Sequence, residues 1–388
     1  MRRRSSLALA GLATTALALV ACSSGGSGTT TSSSAAAPSA SAATSASAAP
    51  AASGSAAAAP ADLTGQTLTV SNWAGYYPED LAKQVEASLG VPLTIANHAT
   101  NEEIMAKLTA GGDSGFDVAF VSGQYAQALN DAGLLEPIDH AKIPNLANLY
   151  PEATQLAFDQ GNQFSVPYTW GTTGICYRSD LIDEPTSWND ILTPSDENKG
   201  KVTQMTTERW LALPALKSLG YSINTTDDAE LAKAKDLLIA SKKDLLAYDD
   251  TTFYSRLVSG EANAVVAWDG WCNYGTAENP DIKFTVPKEG SDLWSDTMVI
   301  LKSSQNKDAA HAFINFILDP ANHAWVAENI LYKVPNKAAM DTQAVMDLNA
   351  TYPNMGMTPT DLLQQEVVVD LGEDSVKYTD LATEVTSS

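Results

Sequence analysis

Four tryptophans fall where extended runs begin or end: Trp73 closes the first such run, Trp170 precedes a second set of elements, Trp268 ends a strand and Trp294 precedes another. A strand end that opens on a cleft is where a ligand is met, whereas Trp188 and Trp325 sit within elements and read as core. Aspartates accompany two of the cleft candidates, in Trp268-Asp269-Gly270-Trp271 and Trp294-Ser295-Asp296. An aromatic face beside a carboxylate suits a cation. Each ring contributes roughly 0.5–2 kcal/mol, and the carboxylate offsets the desolvation of an ammonium group. Bond-making chemistry has no comparable signal. The folded part has no Gly-x-Ser-x-Gly, no His-Glu-x-x-His, no phosphate loop, no dinucleotide fingerprint and no Cys-x-x-Cys. His98, His140, His311 and His323 are scattered and read as surface or capping residues rather than metal ligands. Gly111-Gly112 with Gly115 reads as the end of a helix. The acidic pairs Asp227-Asp228 and Asp249-Asp250 read as caps, because they lack the alternating spacing of a calcium loop. Neither a metal nor a cofactor is expected.

These residues must be carried by a globular unit, and the composition locates it. Residues 23–60 contain only Ser, Ala, Gly, Thr and Pro, and the 326 residues from Leu63 onward hold the material for a core. A tract with no large apolar side chain cannot repay its ordering entropy, so it reads as a tether. As a flexible coil it would span roughly 35 Å, and drawn out roughly 130 Å. Before it, Arg2-Arg3-Arg4 and the apolar stretch Leu7 to Val20 form a secretory signal too short to span a bilayer comfortably. The signal ends in Leu19-Val20-Ala21-Cys22, which resembles the lipobox of bacterial lipoproteins. The resemblance implies cleavage after residue 21, a lipid on Cys22 and attachment to the outer face of the cell membrane. The formal charge is −23; losing three arginines leaves 20 basic residues against 46 acidic ones, a net −26. Nucleic acid is excluded as a partner, since phosphate binding needs concentrated Lys and Arg. Cys176 and Cys272 could pair in an oxidising exterior or serve as small buried residues.

Strand and helix patterns alternate from Leu63. Strands are expected at 68–71, 93–96, 116–121, 174–177, 201–205, 264–268, 283–286 and 297–301. Helices are expected at 78–89, 102–110, 124–132, 187–192, 210–219, 228–241 and 308–318, the last stopped by Asp319-Pro320. Such alternation argues for α/β sheets with crossover helices, and two α/β lobes are the economical arrangement. Ligands of such architectures sit at strand ends and between lobes.

Several segments, in order, are similar to the spermidine/putrescine-binding proteins of ABC importers. They are Ser71-Asn72-Trp73-Ala74-Gly75-Tyr76, Phe116-Asp117-Val118 with Ser122, Val166-Pro167-Tyr168-Thr169-Trp170-Gly171, and Leu219-Gly220-Tyr221-Ser222. Val286-Pro287-Lys288-Glu289-Gly290, the run from Ala312 to Pro320, and Tyr332-Lys333-Val334-Pro335-Asn336 complete the set. The resemblance implies a two-lobe type II periplasmic-binding-protein fold with multiple hinge crossings, near Gly171, Trp294 and Met340. Residues 63–171 with 295–340 would form lobe I, and residues 172–294 with 341–388 lobe II, after a signal peptide at 1–21 and a linker at 22–62.

Carried over position by position, Trp73, Tyr76, Ser122, Trp268, Trp294, Asp296 and Tyr332 keep the family residue type, and Gln364 falls at a family Gln position. Asp296 would grip an ammonium while the aromatics line a methylene chain. Two family acids correspond to Thr207 and Trp210, and a third is replaced by Trp271, with Asp269 displaced toward Trp268. Each buried ammonium without a partner costs several kcal/mol. One firm carboxylate with Asp269 or Glu208 therefore suits putrescine better than spermidine. The implied function is capture of a small cationic amine by a monomeric, lipid-anchored protein that serves an ABC permease and its ATPase. No bond would be made or broken. Other ligands are an ω-amino acid such as γ-aminobutyrate, with Arg209 on its carboxylate, or a quaternary amine. The other classes are a sensory solute-binding lipoprotein and a hydrolase on the same fold, the latter opposed by the missing nucleophile–base pairs.

Overall fold

A computed structural model describes residues 62–388. The signal, Cys22 and the tract up to residue 61 lie outside the described residues. Among the described residues, eleven strands form two sheets. They are β1 (Leu68–Trp73), β2 (Leu93–His98), β3 (Val118–Ser122), β4 (Val166–Gly171), β5 (Thr173–Arg178), β6 (Val202–Gln204), β7 (Ala247–Tyr248), β8 (Ala264–Trp268), β9 (Ile282–Thr285), β10 (Asp292–Ile300) and β11 (Glu366–Val367).

The first sheet runs β11-β10-β3-β1-β2, with β4 on β10, and the second runs β7-β6-β8-β5-β9. In each, three strands are parallel: β1 with β2 and β3, and β6 with β7 and β8. Strands covered on both faces read as apolar runs, as in Val-Ala-Phe-Val-Ser of β3 and Ala-Val-Val-Ala-Trp of β8, where every residue but Trp268 is buried. Two of the helices between them begin on side-chain caps. The Thr100 hydroxyl accepts from the Glu103 amide at the head of Asn101–Thr109, and the Asp227 carboxylate accepts from two amides at the head of Asp228–Ser241. Asp319 caps the helix Pro320–Ile330, directly after Lys307–Ile317 ends.

The chain leaves the first sheet for the second through Thr172, the single residue between β4 and β5. It returns at Asp292, where β10 begins, so Asp292, Leu293 and Trp294 pair with first-sheet strands. Glu366 and Val367 still pair on β10, after which the helix Ser375–Ser387 packs on helices Glu208–Ser218 and Asp228–Ser241. Next to Trp294, which pairs with Gly171, the chain thus passes back to the first sheet, and β11 pairs at that same end of β10. The long strand β10 was legible only in its apolar second half, because its first half, Asp-Leu-Trp-Ser-Asp, mixes polar and apolar residues without a strand period. Helix Asp269–Glu278 also escapes sequence periodicity, having a Gly- and Asn-rich sequence with little sidedness.

Cys176 on β5 and Cys272 on helix Asp269–Glu278 form a disulfide. No helix among the described residues is long and apolar enough to cross a membrane. Nor, among them, does any group of three His, Cys, Asp or Glu side chains converge as a metal site would require.

Candidate functional site

The carboxyl ends of both parallel triplets open onto one cavity of ≈ 540 Å³. From the first sheet come Trp73 and Tyr76 after β1, His98 to Glu102 after β2, Ser122 at the end of β3, and Trp294 and Asp296 on β10. From the second come Thr207 and Trp210 after β6, Asp250 and Thr251 after β7, and Trp268 with Trp271 and Tyr274 after β8. Strand ends supply these positions because the crossover loops leave there, so side chains are free to face a ligand while the sheet holds their Cα atoms.

Asp296 is the acid that the first-sheet strand β10 brings into the cavity. Its carboxylate accepts from the Ser122 hydroxyl at 2.6 Å and from the Tyr76 hydroxyl at 2.9 Å, and Tyr76 also meets the Thr169 hydroxyl at 2.6 Å. Asn101 fixes Ser122 in turn, accepting its amide at 3.0 Å and donating to its hydroxyl at 3.1 Å. Burial raises the Asp296 pKa to about 6, against the two hydroxyls that favour the ionised form. A carboxylate held by neutral donors and lacking a cation is completed by an ammonium group.

Rings surround it. Tyr332 meets Tyr76 at 5.0 Å and Trp294 at 5.8 Å, edge to face. Trp73 packs on His98 at 4.7 Å, while the His98 Nδ1 meets the Ser71 hydroxyl at 2.8 Å. Burial lowers the His98 pKa to about 4, so the ring is neutral near pH 7 and adds no positive charge to the cavity. Across from these lie Trp210 against Trp268 at 5.7 Å, and Trp271 among Tyr254 and Tyr274.

Ten of the twelve ligand-contact positions expected from sequence line this cavity: Trp73, Tyr76, Ser122, Thr207, Trp210, Trp268, Trp271, Trp294, Asp296 and Tyr332. Asp269 does not. Its side chain is buried in an ion pair with Lys333, and its own amide donates to the Thr172 carbonyl. A buried ammonium at Lys333 needs a carboxylate, and Asp269 meets that need rather than a ligand's. Gln364 is exposed, since its neighbour Gln365 is the one that turns inward and accepts from the Ser291 amide at 2.7 Å. Trp170 is also not in the cavity but only 2% exposed and stacked on Tyr150. His98, His311 and His323 are buried rather than on the surface.

Two cavity acids escaped sequence reading. Glu102 accepts from the Tyr125 hydroxyl, and Asp250 accepts from the Thr206 amide at 2.8 Å and the Thr206 hydroxyl. Both follow the ends of parallel strands, which is the signal that could have found them. Asp249 does cap locally, accepting from the amides of Thr251 and Thr252. Arg209 lies outside the cavity, donating to the Val369 carbonyl and to Asn224, over the Tyr378 ring.

Residues 80–354 match the bacterial extracellular solute-binding protein family. Among characterised relatives, the spermidine/putrescine-binding periplasmic protein of Salmonella typhimurium is 34% identical over 275 residues, 70% of this chain and 78% of the relative. The putrescine/cadaverine-binding protein of Pseudomonas aeruginosa is 32% identical over 287 residues, 71% of this chain and 81% of its own. Among solved structures, the spermidine/putrescine ABC transporter substrate-binding protein PotD of Streptococcus pneumoniae superposes with a TM-score of 0.72 at 30% identity, covering 83% of this chain and 99% of that one. The TpPotD lipoprotein of Treponema pallidum does so with a TM-score of 0.74 at 27% identity, covering 82% and 99%.

Proposed function

This chain belongs to the bacterial extracellular solute-binding proteins, and we propose that it captures a polyamine for an ABC importer, favouring a putrescine-like diamine over spermidine. The observation that carries this reading is Asp296, a carboxylate on a cavity wall of aromatic rings, bonded by two hydroxyls and, among the described residues, paired with no cation. One ammonium of the ligand bonds Asp296, and its methylenes lie along Trp73, Trp294, Tyr332 and the facing Trp268. Glu102 and Asp250 supply further negative charge for the second ammonium. The diamine preference is supported by Thr207, Trp210 and Trp271, cavity positions where the polyamine-binding relatives are expected to carry acids.

The mechanism is binding and closure, without chemistry. Lobe I, residues 63–171 and 295–340, and lobe II, residues 172–294 and 341–388, approach over the ligand, and the closed form is presented to the permease and its ATPase. The protein acts as a monomer outside the cytoplasm. A lipid on Cys22 holds it to the outer face of the membrane, and residues 22–62 serve as the tether.

The ω-amino acid alternative loses its anchor, because Arg209 is occupied by Val369 and Asn224. Calorimetric titration with putrescine, spermidine, γ-aminobutyrate and glycine betaine separates the ligands; heat from putrescine is the expected result, and silence from both polyamines overturns the reading. Asp296→Ala abolishes amine binding while thermal stability stays near wild type; undiminished binding would remove Asp296 from the site.

A further inference from the structure

Strand β10 carries a second carboxylate that the ligand-binding scheme does not use. Asp292, Trp294 and Asp296 alternate along one strand and so share a face. The two aspartate Cα atoms are roughly 13 Å apart by strand rise. Asp296 opens on the cavity, whereas Asp292 is 0% exposed. Its Oδ1 accepts from the Thr173 amide at 2.8 Å and the Ser291 hydroxyl at 3.2 Å, and its Oδ2 accepts from the Trp210 indole N–H at 2.7 Å. All three donors are neutral. Trp210 is a cavity-lining residue that is itself only 5% exposed. Its ring therefore stands between the cavity and a buried carboxylate, and its N–H occupies the hydrogen-bonding position that an ammonium would take.

We propose that Trp210 is the specificity-determining residue of the cavity: it covers Asp292, confines the site to one end of β10, and so excludes the longer triamine while admitting a short diamine. The idea rests on the polyamine reading above. With the indole in place, a ligand gripped at Asp296 finds no second carboxylate along β10, only the ring of Trp210. With the indole removed, two carboxylates on one strand face are available to a longer polycation. The same hydrogen bond ties the start of helix Glu208–Ser218, which follows β6 of the second sheet, to the strand that begins the return to the first, so Trp210 holds its position through the crossing itself.

The test is calorimetric titration of putrescine and spermidine into wild type, Trp210→Ala and Trp210→Leu, the latter two with and without Asp292→Asn. Trp210→Leu keeps apolar volume and carries the test if Trp210→Ala fails to fold. Uncovering Asp292 shifts the spermidine-to-putrescine affinity ratio at least tenfold toward spermidine, and adding Asp292→Asn cancels that shift. An unchanged ratio, or a shift that survives Asp292→Asn, overturns the proposal. The wild-type titration stands apart: wild type that binds putrescine with no shift in the variants overturns the gate alone, whereas wild type and variants silent to both amines overturn the polyamine reading and the gate with it.

Discussion

The two walls of the cavity are built on different principles. On the first-sheet wall, polar groups are linked in series: Asn101 holds Ser122, Ser122 and Tyr76 hold Asp296, and Thr169 holds Tyr76. The second-sheet wall is mainly aromatic, and its most conspicuous aspartate from sequence, Asp269, faces away into an ion pair. One wall sets where a positive charge goes, and the other sets what shape accompanies it. The difference teaches that an acid adjacent to a cavity tryptophan is not thereby a ligand group; successive residues at a strand-to-helix junction face different neighbours.

Four measurements sharpen or break that division, taken from the largest effect to the smallest. Lys333→Met leaves Asp269 as an unpaired buried charge and destabilises the fold by about 3–5 kcal/mol in denaturant unfolding. Loss under 1 kcal/mol would show that Asp269 is not committed to Lys333 and is free to serve the second wall. Replacing Cys176 and Cys272 by serine unties β5 from the helix that carries Trp271. This variant loses about 2–4 kcal/mol of stability. An undiminished melting temperature would mean that packing alone fixes that wall.

The charged wall is tested by pH. With the Asp296 pKa near 6 before ligand binds, amine affinity is flat above neutrality and falls as pH drops below 6, approaching tenfold per unit. The stability sign is the reverse. A carboxyl whose folded pKa is raised favours the protonated form, so this group makes the ligand-free protein less stable as pH rises from about 4 to 6. Asp296→Asn removes the stability dependence; a pH-independent wild-type affinity between 4.5 and 7 would break the assignment. The smallest effect falls on the aromatic wall, where Trp268→Leu keeps apolar bulk but removes the ring face. Amine affinity drops by roughly three- to thirtyfold, about 0.5–2 kcal/mol, with the pH profile unchanged. A shifted profile would mean that the second wall also sets the charge.

Sequence patterns conveyed much of the scaffold. Helix Asp228–Ser241 and strand Ala264–Trp268 run between the residues expected for them, because a capping aspartate and an unbroken apolar run are local signals. Strand β4, with its internal Pro167, and helix Asp269–Glu278 give no such signal and were missed. The first-sheet wall was legible because its residues retain the family type at matched positions. On the second wall, Glu102's counterpart Asp250 looked like a cap, and Asp292 did not stand out at all, since nothing local distinguishes a buried carboxylate from an exposed one.

The sequence alone determined a cation-suited set of tryptophans and aspartates at strand ends and an α/β fold to carry them, because residue type, periodicity and capping are properties of neighbouring residues. It also carried the family relationship, through the order and spacing of its motifs. Only the tertiary structure decided which carboxylates the ligand can reach. Asp296 opens on the cavity, Asp269 is consumed by Lys333, and Asp292 is covered by Trp210. Whether a carboxylate is available depends on donors 44 to 174 residues away in the chain: Asp269 is matched by Lys333, 64 residues on, and Asp296 by Ser122, 174 residues back. Asp250 is matched by Thr206, 44 residues back, and Asp292 by Trp210, 82 residues back. Hydrogen bonds and ion pairs at such separations exist only once folding has brought the partners together.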